Sequence, residues 1–185
     1  MRPIDWREWR LVVFDADDTL RTTLVAGQPC PRASGEWALL PGVRDALAGV
    51  PWGSPGAPAL AIASNQDQIA YGHLTEATSR RLLGDAAEAA SGHRPPDTLL
   101  LLCPHALGVA CACRKPAPGM LRAAMRHANA SPHETLFVGN AASDAAAARA
   151  AGVTFAWAWD AFDARERSLR SGMMRRVRPD SCLAS

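Results

Sequence analysis

The sequence of 185 residues contains a single lysine, Lys115, because every other member of its 20 lysines and arginines is an arginine. So complete a bias, together with abundant alanine, is typical of a pressure on the genome rather than on the protein. A compact ammonium and a planar guanidinium are not interchangeable at a binding site. The retained Lys115 therefore indicates a position where arginine would not serve.

Further absences limit the class of protein. No stretch of about 18 uninterrupted apolar residues offers a membrane span, and the N-terminal MRPIDWREWR carries charges where a signal peptide needs an apolar run. The net charge is only +2, so there is no general electrostatic case for nucleic acid or an anionic membrane as partner. We expect a soluble cytoplasmic protein, monomeric or homodimeric, with no membrane partner.

The length predicts one domain that is large enough to bury a continuous core. We place this core at about 10–160, followed at 161–185 by a C-terminal helix or arginine-rich tail. The tail holds six arginines against Glu166 and Asp180 between positions 165 and 180. A solvated helix end or frayed tail is the expected structure for such a segment.

Apolar runs of strand length alternate with helical patterns along the chain. Alternation of this kind predicts a three-layer α/β fold, a Rossmann-like parallel sheet with helices on both faces. The expected strands lie at 11–16, 60–65, 98–103, 135–140 and 153–159, and the expected helices at 42–50, 75–91, 117–130 and 143–151, the last with Ser143 as a candidate cap. The intervals between strands leave no room for a separate cap domain.

Polar residues follow several of these strands at their carboxyl ends, the edge where open parallel sheets bind ligands. The first such group is the pair Asp15 and Asp17, of which one carboxylate could attack phosphorus while the other transfers a proton. An Asp-x-Asp pattern is weak by itself, since an ordinary strand exit with an Asx turn also produces it.

Four ordered motifs add to this signal: FDADDTL, IASNQ, CRKPAPGM and VGNAASD. Together they resemble the motifs of the haloacid dehalogenase superfamily of phosphotransferases over about residues 11–155. The resemblance implies that Asp15 forms an aspartyl phosphate and that Asp17 is the general acid and base. It further implies phosphoryl binding by Ser64 and charge compensation by Lys115. Substrate contacts are expected from Thr19, Asn65, Gln66 and Arg114.

The sequence departs from the superfamily pattern in two places. Asp18 stands where the first motif commonly has glycine, and Asn140 replaces the usual metal-binding aspartate. An amide carbonyl can bind a hard cation, but without charge, so Mg²⁺ should bind more weakly unless Asp144 compensates. The magnesium ligands expected from the resemblance are Asp15, Asp17, Asn140 and Asp144.

Three of the five cysteines fall between residues 103 and 113, in the pattern Cys-x-His-x5-Cys-x-Cys. Three thiolates and one imidazole complete the tetrahedral shell of a structural zinc site, with Cys103, His105, Cys111 and Cys113 as ligands. A disulfide between two cysteines only two positions apart would be strained, and an unremarkable buried thiol at Cys103 is the other alternative.

The cysteine loop leads directly into Arg-Lys-Pro and resembles the zinc loop of the capless subgroup that contains histidinol-phosphate and D-glycero-D-manno-heptose 1,7-bisphosphate phosphatases. This resemblance implies a magnesium-dependent phosphomonoesterase acting on a small phosphorylated metabolite, such as a sugar, polyol or histidinol phosphate. Arg114 could bind a second anionic group of the substrate or be an ordinary exposed arginine.

Two alternatives stay open at this point. The insert RTTLVAGQPCPRASGEWALLPGV also resembles the polynucleotide 3'-phosphatases, which makes DNA ends an alternative though less favoured substrate. Asn140 motivates the other alternative, a phosphate-binding or regulatory module with weakened catalysis.

Overall fold

The coordinates are a computed structural model that describes residues 4–93 and 98–162. Five parallel strands form one sheet in the order β5, β4, β1, β6, β7. Their bounds are β1 Leu11–Phe14, β4 Ala59–Asn65, β5 Leu99–Cys103, β6 Thr135–Gly139 and β7 Thr154–Trp157. The expected parallel sheet is confirmed. The last expected strand was too long, because the chain after Trp157 turns into a short helix instead of continuing to residue 159.

Helices cover both faces of this sheet, as expected for strands that are apolar nearly throughout. They span α1 Val43–Leu47, α2 Glu76–Ser91, α3 Gly119–Ala128, α4 Ala142–Ala151 and α5 Ala158–Ala161. Successive residues of a strand point to opposite faces, so β1 contributes Val12 and Phe14 to the core under α1 and α2, and Leu11 and Val13 to the core under α3 and α4. Both cores are therefore built from the same strands.

The start of α4 differs from the expectation. Ser143 is buried inside the helix and does not cap it; the N-cap residue is Ala141. The carboxylate of Asp144 accepts hydrogen bonds from the backbone N–H groups of Asn140 and Ala141 instead, at 3.1 and 3.0 Å. A carboxylate suits this position because the first N–H groups of a helix have no partner within the helix.

A two-stranded antiparallel hairpin, β2 Arg21–Thr23 and β3 Trp37–Leu39, occupies the interval between β1 and α1. The connection between its strands is fixed at two points. Arg32 donates to Gln68 at 2.9 Å, and Arg81 of α2 donates to Ser34 at 2.5 Å. In the described ranges, the intervals between the five strands of the sheet contain this hairpin, single α-helices and loops, so the expectation of a fold without a cap domain is confirmed there.

Within the described ranges, no helix is long and apolar enough to cross a membrane. The expected C-terminal helix or tail lies outside the described residues from position 163 onward, as do its six arginines. That expectation, and the division of the chain into one domain, stay predictions.

Candidate active site

The carboxyl edge of the sheet brings together polar groups from four neighbouring strands. Asp15 follows β1, Ser64 and Asn65 end β4, Cys103 ends β5 and Asn140 follows β6. Because the strands are parallel and adjacent, residues separated by more than a hundred positions in sequence meet at this edge.

Lys115 lies at the centre of this edge and is 4% exposed. Its Nζ is 2.6 Å from Oδ1 of Asp15 and 2.7 Å from Oδ1 of Asp144, and the Phe137 ring lies 5.6 Å from the same nitrogen. Burial alone would lower the pKa of Lys115, but the carboxylates of Asp144 and Asp15 hold this pKa above its ordinary value. The single lysine of the chain is therefore a fixed cation between two buried carboxylates.

Asp15 is also buried, and burial raises its pKa from 3.8 to about 7 even though Lys115 acts in the opposite direction. The negative charges of Asp144 and Asp17 raise this pKa further. A carboxylate that acts as a nucleophile must be ionised, so the role expected of Asp15 requires positive charge in addition to Lys115 near neutral pH.

Both carboxylate oxygens of Asp17 accept hydrogen bonds. Arg21, which is fully buried, donates from Nε to Oδ1 at 3.0 Å, and Gln66 donates from Nε2 to Oδ2 at 2.8 Å. Arg21 is itself anchored by a hydrogen bond from Nη1 to the carbonyl of Leu82 in α2 at 2.7 Å. The side chain of Asp17 is consequently held on two sides.

The last residue of β4 and the residue that follows it position Lys115 and Ser64, respectively. The amide of Asn65 pairs with the backbone of Lys115 through two hydrogen bonds, one accepted from its N–H at 3.0 Å and one donated to its carbonyl at 3.2 Å. Gln66 is 1% exposed and donates to the Ser64 hydroxyl at 2.9 Å. The expected substrate contacts of Asn65 and Gln66 stay predictions, and both amides already bind other parts of the site.

The Cys/His cluster lies beside Lys115. The ligand atoms of Cys103, His105, Cys111 and Cys113 all lie within 4.8 Å of one another, with S–S separations of 3.6 Å and S–N separations of 3.3 and 3.4 Å. Zinc bonds of about 2.3 Å to sulfur and 2.0–2.1 Å to nitrogen imply tetrahedral edges of about 3.6–3.8 Å. These four separations lie within a few tenths of an ångström of the tetrahedral edges, and the whole group is close enough together to hold one metal ion.

The pKa values of the three thiols differ, since burial raises the pKa of Cys103 to about 12 and that of Cys113 above its ordinary value. Burial alone would raise the pKa of the Cys111 thiol, but the N–H of Arg114 and the neighbouring thiols lower it to about 7. Metal coordination requires the thiolate form, so these pKa values favour binding at Cys111 and oppose it at Cys103 and Cys113.

Arg114 is held against this cluster and is not an ordinary exposed arginine. Its backbone N–H donates to Sγ of Cys111 at 3.4 Å, and its Nη1 donates to the carbonyl of His105 at 3.4 Å. Its Nη2 lies 3.8 Å from Oδ2 of the buried Asp67, and its side chain is 13% exposed. The cluster and Asp67 thus fix the guanidinium of Arg114.

The Thr19 hydroxyl oxygen lies near two acceptor oxygens. It is 3.4 Å from Oδ2 of Asp15 and 3.3 Å from Oδ1 of Asn140. Carboxylate and amide oxygens are ligand types that suit Mg²⁺, and these two lie within 3.4 Å of the same hydroxyl. Asp144, by contrast, has one oxygen on Lys115 and the other at the start of α4. Its contacts favour a role in holding Lys115.

Sequence reasoning did not single out Arg21, Asp67 or Ser79. Arg21 stands four residues after Asp17, and a basic residue so close to a catalytic motif was an available signal. Asp67 and Ser79 become recognisable only through their partners in space, Arg114 and Gln66.

The fold and the site define the class. Residues 30–152 match the family described as haloacid dehalogenase-like hydrolase, and the chain belongs to this family. The resemblance inferred from the four motifs is thereby confirmed, and with it the class of three-layer parallel α/β fold.

Two individual proteins that are similar in sequence share one name. The D-glycero-beta-D-manno-heptose-1,7-bisphosphate 7-phosphatase of Pseudomonas putida is 37% identical over 123 residues, which are 63% of this chain and 65% of that protein. The chain thus spans slightly less than two thirds of this relative's length. The protein of the same name from Pseudomonas aeruginosa is 30% identical over 140 residues, 76% of this chain and 71% of that protein.

A solved structure agrees with these relatives. The crystal structure of D,D-heptose 1,7-bisphosphate phosphatase from Bordetella bronchiseptica, complexed with magnesium and phosphate, has a TM-score of 0.64 and 28% identity, covering 79% of this chain and 78% of that one. These findings agree with the expected activity class, a phosphoric monoester hydrolase.

Proposed function

We propose that this protein is a magnesium-dependent phosphomonoesterase that acts through Asp15 on a small sugar bisphosphate of the heptose 1,7-bisphosphate kind. The observation that carries the proposal is the buried Asp15, Lys115 and Asp144 triad, with Nζ of Lys115 at 2.6 and 2.7 Å from the two carboxylates. The names of the relatives support the substrate class.

The chain's own residues supply the reaction. A carboxylate oxygen of Asp15 forms a bond to phosphorus while the bond from phosphorus to the sugar oxygen breaks, and Asp17 gives that oxygen its proton. Water then attacks the aspartyl phosphate, with Asp17 taking the proton, and this restores Asp15 and releases inorganic phosphate. Ser64 and Lys115 stabilise the phosphoryl oxygens during both steps.

Mg²⁺, held by Asp15, Asp17 and the carbonyl oxygen of Asn140, would supply the positive charge that lets an anionic carboxylate approach a dianionic phosphate. Asn140 makes this site less negative than one with a further carboxylate. Asp144 contributes by fixing Lys115, whose ammonium compensates charge at the same point.

Zinc is the metal we assign to the Cys/His cluster, in a structural role. Through its contacts with Cys111 and His105, the cluster fixes Arg114 beside Lys115. A guanidinium in this position can bind a second phosphate bidentately, which fits a bisphosphate better than a monophosphate. We expect Arg114→Ala to raise the KM for a sugar bisphosphate about tenfold or more and that for a simple aryl phosphate less.

The test is a panel of substrates assayed for phosphate release with and without Mg²⁺: heptose 1,7-bisphosphate, other sugar and polyol phosphates, histidinol phosphate, a 3'-phosphorylated oligonucleotide and an aryl phosphate. Preferred turnover of sugar bisphosphates, abolished by Asp15→Asn, is the expected result. Preferred turnover of the oligonucleotide would instead identify a DNA 3'-phosphatase. Failure to turn over any substrate with any divalent metal would indicate a phosphate-binding module.

A further inference from the structure

Gln66 connects three polar side chains of the site from a buried position. It is 1% exposed, its Nε2 donates to Oδ2 of Asp17 at 2.8 Å and to the Ser64 hydroxyl at 2.9 Å, and its Oε1 accepts from the Ser79 hydroxyl at 3.0 Å. Its backbone N–H also donates to the carbonyl of Cys103 at 2.8 Å, which ties it to the first residue of the Cys/His cluster.

The chemistry of these partners decides which way the amide points. Oδ1 of Asp17 is paired with Arg21 and its Oδ2 accepts from Nε2 of Gln66, so the amide nitrogen faces Asp17. The amide oxygen then faces Ser79, whose hydroxyl acts as the donor. The hydrogen bonds thus run in one direction, from Ser79 through Gln66 to Ser64 and Asp17.

This direction has a consequence for Ser64. A hydroxyl has one hydrogen to donate, and the Ser64 oxygen already accepts from Gln66. Because Gln66 presents only N–H groups to it, the Ser64 hydrogen cannot be donated back and is available to another acceptor at the carboxyl edge of the sheet.

We propose that Gln66 is a positioning residue that aims the Ser64 hydroxyl hydrogen at a phosphoryl oxygen while it holds the carboxylate of Asp17 in place. The proposal rests on the proposed function, since it takes Ser64 as a phosphate ligand. Gln66 itself then contacts no substrate, which distinguishes this role from the substrate contact expected of it from the sequence.

Two substitutions separate the direction of the hydrogen bonds from the shape of the side chain. Gln66→Glu keeps the shape but places an acceptor opposite Ser64, so the serine hydrogen turns away from phosphate. Gln66→Met removes both donors without adding charge. We expect Gln66→Glu to lower kcat/KM about 100-fold and to raise the inhibition constant of inorganic phosphate about tenfold or more, with a smaller loss for Gln66→Met.

Gln68→Glu is the matched control. Gln68 lies two positions further on and is 3% exposed, and its side-chain oxygen accepts from Arg32, so the same added charge gains a partner there. Phosphate inhibition of Gln68→Glu should stay within about twofold of the unsubstituted protein, since an arginine-paired charge contributes little net field. An equal loss in both Glu variants would mean that added charge, and not hydrogen-bond direction, weakens binding.

A double-mutant cycle tests whether Gln66 acts through Ser64. Inorganic phosphate affinity is measured in the presence of Mg²⁺ for Gln66→Met, Ser64→Ala and the double variant, with thermal unfolding to establish that each variant is folded. If the proposal is right, Gln66→Met weakens phosphate binding severalfold alone and less than twofold in the Ser64→Ala background. An undiminished effect in that background would overturn it. Because this affinity is measured without turnover, an inactive but phosphate-binding parent protein would reject the proposed function and leave the cycle decisive.

Discussion

Replacing Lys115 with arginine keeps the positive charge and changes only its shape, which makes it the sharpest probe of the site. One nitrogen of Lys115 is 2.6 Å from Asp15 and 2.7 Å from Asp144 in a pocket where the lysine side chain is 3% exposed. A planar guanidinium is too broad to take the place of that single atom. We expect kcat for Mg²⁺-dependent phosphate release to fall about 10²- to 10³-fold, the usual cost of removing one preorganised electrostatic partner.

Stability gives an independent measure of the same geometry. Lys115→Arg should lower the free energy of unfolding by about 1–3 kcal/mol through overpacking. Lys115→Met, which leaves two buried carboxylates uncompensated, should lower it by about 3–5 kcal/mol. Urea unfolding and steady-state kinetics on the three proteins provide the comparison. A Lys115→Arg protein with kcat within threefold of the parent would refute the argument that the site requires a compact ammonium.

Three further predictions follow from the site. Asn140→Asp should raise Mg²⁺ affinity about tenfold by adding a charged ligand, as measured by metal titration; Asn129→Asp, an exposed position, is the control, and an unchanged titration would show that Asn140 is not a ligand. The pKa of Asp15 is raised to about 7, and we propose its ionised form as the nucleophile. We therefore expect kcat/KM at low Mg²⁺ to rise with pH through about 7 and to saturate above it, with the midpoint moving to lower pH as Mg²⁺ increases. A flat profile from pH 5 to 8 would contradict this. Chelation of the metal assigned to the Cys/His cluster, or Cys111→Ala, should reduce both stability and activity, and the activity falls because Arg114 and Lys115 are displaced. Cys30→Ala, outside the cluster, is the control and should leave metal binding unchanged. A chelated protein that stays folded and fully active would refute the account.

Local sequence patterns were sufficient to predict the parallel sheet and the ligand cluster. Each strand is a short apolar run, which is what burial on both faces requires. The four residues of the cluster lie within eleven positions, so their spacing alone identifies them. The lone lysine gave a further signal because the rest of the chain uses arginine, and it is indeed a buried cation of the site, in contact with Asp15 and Asp144.

Contacts between distant segments could not be predicted in this way. Asn65 meets the backbone of Lys115 across 50 positions, and Thr19 meets Asn140 across 121. The substrate contact expected of Asn65 stays a prediction, but the hydrogen bonds of its amide to the backbone of Lys115 were not expected. Nothing in a local pattern indicates which of several partners a short polar side chain will choose once the strands are placed side by side.

The helix start at α4 is a smaller example of the same limit. Ser143 is a good capping residue by type, but the carboxylate of Asp144 reaches the N–H groups of Asn140 and Ala141. The other carboxylate oxygen of Asp144 contacts Nζ of Lys115, so this residue stabilises both the start of the helix and the site. A local capping rule cannot anticipate that second partner.

The measurement that tests the central claim most directly is chemical quenching of a single turnover, followed by mass spectrometry of the peptide that contains Asp15. With a sugar bisphosphate and Mg²⁺, the account predicts a transient phosphoryl group on Asp15 that forms and decays at rates consistent with turnover and is missing from Asp15→Asn. Phosphate release at the normal rate by Asp15→Asn, or a phosphoryl group on any other residue, would contradict it.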